Sequence, residues 1–190
     1  QATPWQLSLQ TLDAHPHGLD LGPLQANLAH RLGTASKTVE AAPRLLLDDL
    51  QRLARQAPPE TGQLLLIGRR HVRSNNSWMH NYHRLVKGKP RHHLLMHPDD
   101  LRQRQLQDGQ QVRVRSRAGA VQVQVQACES MMPGVVSLPH GFGHDRQGVR
   151  LQTAQAQPGV SANDLTDELL RDSVCGNAAL NGVPVYVEAA

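Results

Sequence analysis

Aromatic side chains are scarce in this chain: they make up 3% of its 190 residues, with a single Phe, two Trp and two Tyr. A close-packed interior must therefore come from the aliphatic residues of a composition that is 39% hydrophobic. Cysteine is limited to Cys128 and Cys175, which excludes a disulfide framework or a cysteine-rich metal cluster. Each is expected to be a free, buried thiol. No apolar run approaches the roughly 20 residues of a membrane helix, so no membrane span is expected. The opening QATPWQLSLQ has neither an initiator Met nor a signal-peptide core, and reads as a cut piece or a processed product. The compartment stays open, with cytoplasm the first expectation and periplasm the alternative. Walker loops, G-x-G-x-x-G turns, G-x-S-x-G elbows and His-Glu-x-x-His helices are all missing. Nothing resembles a self-sufficient active site, and no catalytic residue is assigned.

Charge of either sign is modest, with 19% charged residues and a formal net charge of +4. The basic residues bunch at Arg69 to Arg73 and at Lys87 to His93, patches sized for a few phosphates rather than a duplex. A nucleic-acid partner is not expected. Eleven histidines invite a metal reading, but His15 and His17, His80 and His83, and His92 and His93 lack any familiar ligand spacing. No metal site is expected from this chain.

The pattern divides near residue 60, giving an arm over 1–62 and a domain over 63–190. In the arm, LDAHPHGLDLGPL reads as ordered loop. PRLLLDDLQRLARQ, from Pro43 to Gln56, sets Leu46, Leu50 and Leu53 at helical spacing, and APPETG ends that helix. Strand signals follow: QLLLIG (Gln63 to Gly68), His92 to His97, MPGVVSLP (Met132 to Pro139) and VPVYVE (Val183 to Glu188). The clearest is QVRVRS, a turn at Arg117 to Gly119, then AVQVQVQA. Val112, Val114, Val121, Val123 and Val125 alternate with Arg and Gln, the period-2 mark of a hairpin with one wet face. Short helical turns are expected after Pro98 and after Asp164. The expected object is mainly β: a closed or nearly closed barrel with short peripheral helices and an N-terminal helical arm.

Three loops carry candidate chemistry. In GRRHVRSNNSWMHN, Gly68 permits a sharp exit from the strand, while Arg69, Arg70 and Arg73 offer forked donors to phosphate. Ser74, Asn75, Asn76 and Ser77 suit sugar hydroxyls or a pterin edge, and Trp78 suits a ring; a polar surface loop is the plainer alternative. Asn75-Asn76-Ser77 also fits a glycosylation sequon, a pattern common by chance. In PHGFGH, His140 and His144 suggest a metal pair, but no third ligand stands at familiar spacing. The glycines there let His140 and backbone amides approach a ligand. In ANDLTD, Asn163 is either a helix N-cap, with Thr166 and Asp167 in the first turn, or an amide reading a heterocycle's edge.

Read in order, LLLIGRRHVRSNNSWMHN, MHPDDL, DGQQVRVRSRAGAVQVQV, PGVVSLPHGFGH, SANDLTD and CGNAALNGVPVYV resemble the C-terminal molybdopterin-dinucleotide-binding domain of the dimethyl sulfoxide reductase superfamily. The resemblance runs from about Gln63 to Val187. HPHGLDLGPL is similar to the segment before this domain in formate dehydrogenase-like and nitrate reductase-like members. The resemblance implies a six-stranded double-psi β-barrel that holds a molybdopterin guanine dinucleotide. It also implies partner domains in the same polypeptide, carrying the molybdenum ligand and an iron–sulfur cluster. Its cofactor contacts carry over onto Gly68, Arg69, Arg70, His71, Ser74, Asn75, Asn76, Ser77 and Trp78, onto Asn163, and onto His140 and Gly141. A late Lys of many members is missing near Leu180 or Asn181. Two other classes stand beside this reading: a non-enzymatic interaction module on the same barrel, and a nucleic-acid-binding domain.

Overall fold

A computed structural model describes residues 5–190, so the first four residues of the opening stretch lie outside it. The chain divides into two compact units, Gln1–Asp48 and Asp49–Ala190. The first holds two short helices, α1 (Leu9–Asp13) and α2 (Leu28–Arg31). Ser8 caps α1 by accepting from the Thr11 N–H at 3.1 Å. None of its described residues is buried. The leucine-spaced helix, α3 (Arg44–Ala54), falls across the division. Leu46, Leu50 and Leu53 do lie one helical turn apart, yet all three are more than half exposed.

The second unit is a closed six-stranded barrel of β1 (Leu64–Arg69), β2 (Leu94–Met96), β3 (Gln111–Arg115), β4 (Ala120–Ala127), β5 (Val135–Pro139) and β6 (Val183–Ala189). The order around it is β1-β5-β2-β4-β3-β6. β1 runs parallel to β5 and β2 parallel to β4, whereas the other pairs are antiparallel. Closure leaves no unpaired edge.

The valine alternation does what its period dictates. Val112 pairs with Val123 and Val114 with Val121, all pointing inward, while Arg113, Arg115, Gln122 and Gln124 stay exposed. Each buried Val contributes about 1.5–3 kcal/mol relative to exposure. Leu64, Leu66, Leu94, Met96, Val136, Leu138, Leu165, Val183 and Val185 complete a core with no aromatic member among the described residues. The aliphatic interior is thus as the composition required.

Four short helical pieces surround the barrel: α4 (His83–Val86), α5 (Pro98–Gln103), α6 (Gln152–Gln155) and a 3-10 turn at Ala162–Asp164. Pro98 opens α5, and buried Asp100 within it accepts from the Gly134 N–H at 2.8 Å, tying the helix to the start of β5. Two expectations are corrected. The turn near Asp164 ends there instead of beginning there, and Ser161 caps it, not Asn163. Neither cysteine is a buried thiol: Cys175 is exposed and Cys128 is partly exposed. Cys128 stands one residue past the end of β4, beside Ser130, and Cys175 sits in a turn whose amide donates to Asp172 Oδ1 at 2.7 Å. Neither position reaches the core.

Candidate dinucleotide groove

Because β1 and β5 are parallel and in register from Leu65↔Val135 to Arg69↔Pro139, both deliver their following loops at one end of the barrel. The His140 N–H donates to the Arg69 carbonyl at 2.9 Å, extending the pairing into the loops. The 70–82 loop then turns through Asn75 and Asn76, whose φ values of 39° and 60° suit asparagine. Gly141, at φ 90°, lies against that turn: a Cβ there would sit 2.4 Å from the Asn76 carbonyl oxygen. Two residues on, a Cβ at Gly143 would meet Ser161 Cβ at 2.9 Å, so the same loop also rests on the 161–168 segment.

The hairpin tip fixes that segment from the other side. A Cβ on Gly119 would stand 2.6 Å from the Asp164 carbonyl oxygen. Arg117 grips the Asp167 carboxylate and donates to Glu168 at 2.8 Å, holding the Asp167 carboxyl below its ordinary pKa. Four segments from distant stretches of sequence therefore meet because three glycines allow close approach.

The paired arginines diverge. Arg69 turns inward: its Nη1 donates to the Ser137 carbonyl at 3.0 Å and its Nη2 to the His93 carbonyl at 3.0 Å, stitching β1, β5 and the approach to β2. Burial lowers its pKa, but a guanidinium stays charged. Arg70 is exposed and donates to Asn76 Oδ1. With Gly68, His140, Asn163, Thr166 and Asn181 it lines a groove of about 230 Å³ floored by Leu66 and Ile67. Burial and the Arg70 cation both push the His140 imidazole below its usual pKa, so it is neutral at pH 7. No carboxylate lines the groove; nearby Asp164 is engaged by Arg146 at 2.5 Å. One cation, one neutral imidazole and two carboxamides suit an anionic ligand with heterocyclic edges.

Of the candidate residues, Gly68, Arg70, His140 and Asn163 share this groove, and Gly141 and Asn76 form the loop contact behind it. His71 and Ser74 line a different cavity, Trp78 is 77% exposed, and Asn75 and Ser77 lie along the same loop. Two residues escaped sequence reasoning. Asn181 accepts from the Gly68 N–H at 2.7 Å and stands in the region of the missing Lys. Its Asn-Gly pair, before a positive-φ Gly182, was the signal that could have found it. His80 is the other: it pairs with His144 at 2.6 Å across 64 positions of sequence, not with nearby His83, so no local spacing announces it.

The family model described as "Molydopterin dinucleotide binding domain" matches residues 64–184, more than half of the sequence. The chain belongs to this family. It is 30% identical over 123 residues to one chain of the tetrathionate reductase of Salmonella typhimurium, a match covering 55% of this chain and 12% of that protein. The acetylene hydratase of Pelobacter acetylenicus shares the fold, with a TM-score of 0.57 at 17% identity, over 76% of this chain and 20% of that one. The chain thus spans a small fraction of the relatives it matches. Its barrel is a molybdopterin-dinucleotide-binding module. Among the described residues no helix is long and apolar enough to cross a membrane.

Proposed function

We propose that this domain grips a molybdopterin guanine dinucleotide for a molybdenum oxidoreductase whose remaining domains complete the active site. The observation that carries the reading is the sharing of one carboxylate-free groove by Arg70, His140 and Asn163, residues separated by up to 93 positions. The donor set fits the group. Arg70 has N–H donors beyond the one on Asn76 for a phosphate oxygen, the Asn163 amide offers both a donor and an acceptor to a ring edge, and Gly68 keeps the strand end open to close approach. Asn181 orients the Gly68 amide. Phosphate charge would in turn favour protonation of His140, adding a second cation when the ligand is seated. Neighbouring Gly141 and Asn76, with Ser74, Asn75, Ser77 and Trp78, belong to the loops that bear on the same ligand. A groove of about 230 Å³ takes one part of a dinucleotide, so the rest of the cradle comes from elsewhere in the polypeptide.

When bound, the cofactor supplies two-electron redox chemistry, with an iron–sulfur cluster in another domain as the electron route. This chain's own residues bind and orient. The test is Arg70→Ala and Asn163→Ala in the full-length parent protein, with molybdenum and released pterin measured per polypeptide. Both variants are expected to lose cofactor several-fold at unchanged circular dichroism. Wild-type molybdenum and pterin content in both variants refutes the assignment.

A further inference from the structure

The loops that wall the groove have a second hollow behind them. Arg70 and His140 face the groove, while their neighbours His71 and Phe142 line a cavity of about 390 Å³. Leu85, Val86, Pro90 and Pro158 give it apolar walls, in the size range of small-ligand sites. His80 lines it too, only 4% exposed, and its Nε2 has no hydrogen-bond partner.

His80 Nδ1 is taken by His144 Nε2 at 2.6 Å, so the other ring nitrogen, Nε2, is the one left facing the cavity. A buried ring nitrogen left without a partner costs about 1–3 kcal/mol. Neighbouring His92 is satisfied, since its Nε2 lies 3.1 Å from both the N–H and the carbonyl oxygen of Val160. Metal coordination does not explain the unpaired atom, because no three candidate ligands converge among the described residues. Arg73 and Arg91 also line the cavity, each with one donor spent on a carbonyl, of Arg84 at 2.9 Å and of Leu85 at 3.1 Å, and others to spare.

We propose that this cavity receives a flat heterocycle that presents a hydrogen-bonding edge to His80 Nε2 and an anionic tail to Arg73 and Arg91. The inference rests on the dinucleotide reading above and deepens it. The ring is either one head of the dinucleotide seated in the Arg70 groove or that of a separate mononucleotide. Full-length parent protein as wild type, His80→Leu and His80→Gln is dialysed, and acid-released pterins and nucleotides are quantified. Leucine removes the ring nitrogen, and glutamine restores a group that both donates and accepts at similar reach. His80→Leu is expected to lower retention of one heterocycle about tenfold, with most of it recovered in His80→Gln. Loss of the dinucleotide identifies one ligand spanning both hollows; loss of a mononucleotide with the dinucleotide kept identifies two ligands. Either supports the proposal. Should His80→Leu not fold, Arg91→Met, outside the histidine chain, is expected to reduce retention several-fold at an unchanged melting temperature. Wild-type retention in His80→Leu, or in Arg91→Met if that variant has to stand in, overturns the proposal while leaving the groove reading intact. A wild-type protein carrying no dinucleotide overturns the groove reading, and with it the inference built on it.

Discussion

Replacing Gly141 by Ala asks the two groove loops to part. Gly141 has φ 90°, where an L-residue costs about 1–2 kcal/mol. The added Cβ would lie 2.4 Å from the Asn76 carbonyl oxygen, 2.6 Å from its carbon and 3.0 Å from the Ser77 nitrogen. All three are backbone atoms, so no side chain can swing aside. Restoring ordinary contact near 3.4 Å means a retreat of about 1 Å. Together these effects come to about 3 kcal/mol, or roughly a hundredfold in an equilibrium. If the domain bears the strain intact, its melting temperature falls by about 6–12 °C. If the loops separate, the melting temperature falls less and the dinucleotide is lost. Gly134→Ala is the control: φ is 83° there, but a Cβ meets nothing within 4 Å. It is expected to cost only about 1–2 kcal/mol and to keep the cofactor. Thermal unfolding and pterin content of the full-length variants decide the matter. A Gly141→Ala protein indistinguishable from Gly134→Ala in both would refute the loop-contact reasoning.

Two further expectations concern the same end of the barrel. The His80 pKa is depressed to about 4, by burial first and then by the neighbouring histidines, and burial also lowers His71, His92, His140 and His144. Depressed imidazoles contribute stability that is fully present above pH ~6.5 and is lost as pH falls through the folded values, for His80 alone up to about 3 kcal/mol. Urea midpoints should therefore drop steadily from pH 6.5 to 4.5, before carboxylates titrate, and a flat profile across that window contradicts the burial argument. Arg69→Met should separate the two arginines: stranding the Ser137 and His93 carbonyls costs about 3 kcal/mol, whereas Arg70→Ala changes stability by about 0.5 kcal/mol or less. Equal melting temperatures for these two variants would mean that Arg69 is not a structural stitch.

The barrel was legible because its signal is local. Val112 to Val125 alternate within a single hairpin, and a period-2 pattern names both the element and its buried face. The order of motifs along the chain supplied the rest of the fold. The groove was half legible: the residue types in 68–78, at His140 and at Asn163 suit a charged heterocyclic ligand, but nothing local says which of them converge. Arg69 and Arg70 are chemically identical and adjacent; Arg69 folds back onto the Ser137 and His93 carbonyls while Arg70 stays exposed, and only the neighbours that strand pairing brings up decide which. Asn163 was equally ambiguous, since Ser161 two residues earlier competes for the cap and wins. The His80–His144 bond was illegible in principle, because it depends on two loops being brought together by Gly141.

That dependence explains why a rigid barrel suits this task. A dinucleotide is long and flexible, and a site that had to order its own loops on binding would lose affinity to that ordering. Here the loops are held before any ligand arrives: by β1–β5 pairing on one side, by Arg117 on Asp167 on the other, and by glycine contacts between them. What the domain leaves open is extent rather than order. Its groove takes one part of a dinucleotide, so under the proposed function the grip is shared with other domains. Sharing makes cofactor capture a joint property of domains, and loosening either loop should then lower cofactor content before it lowers the stability of the barrel.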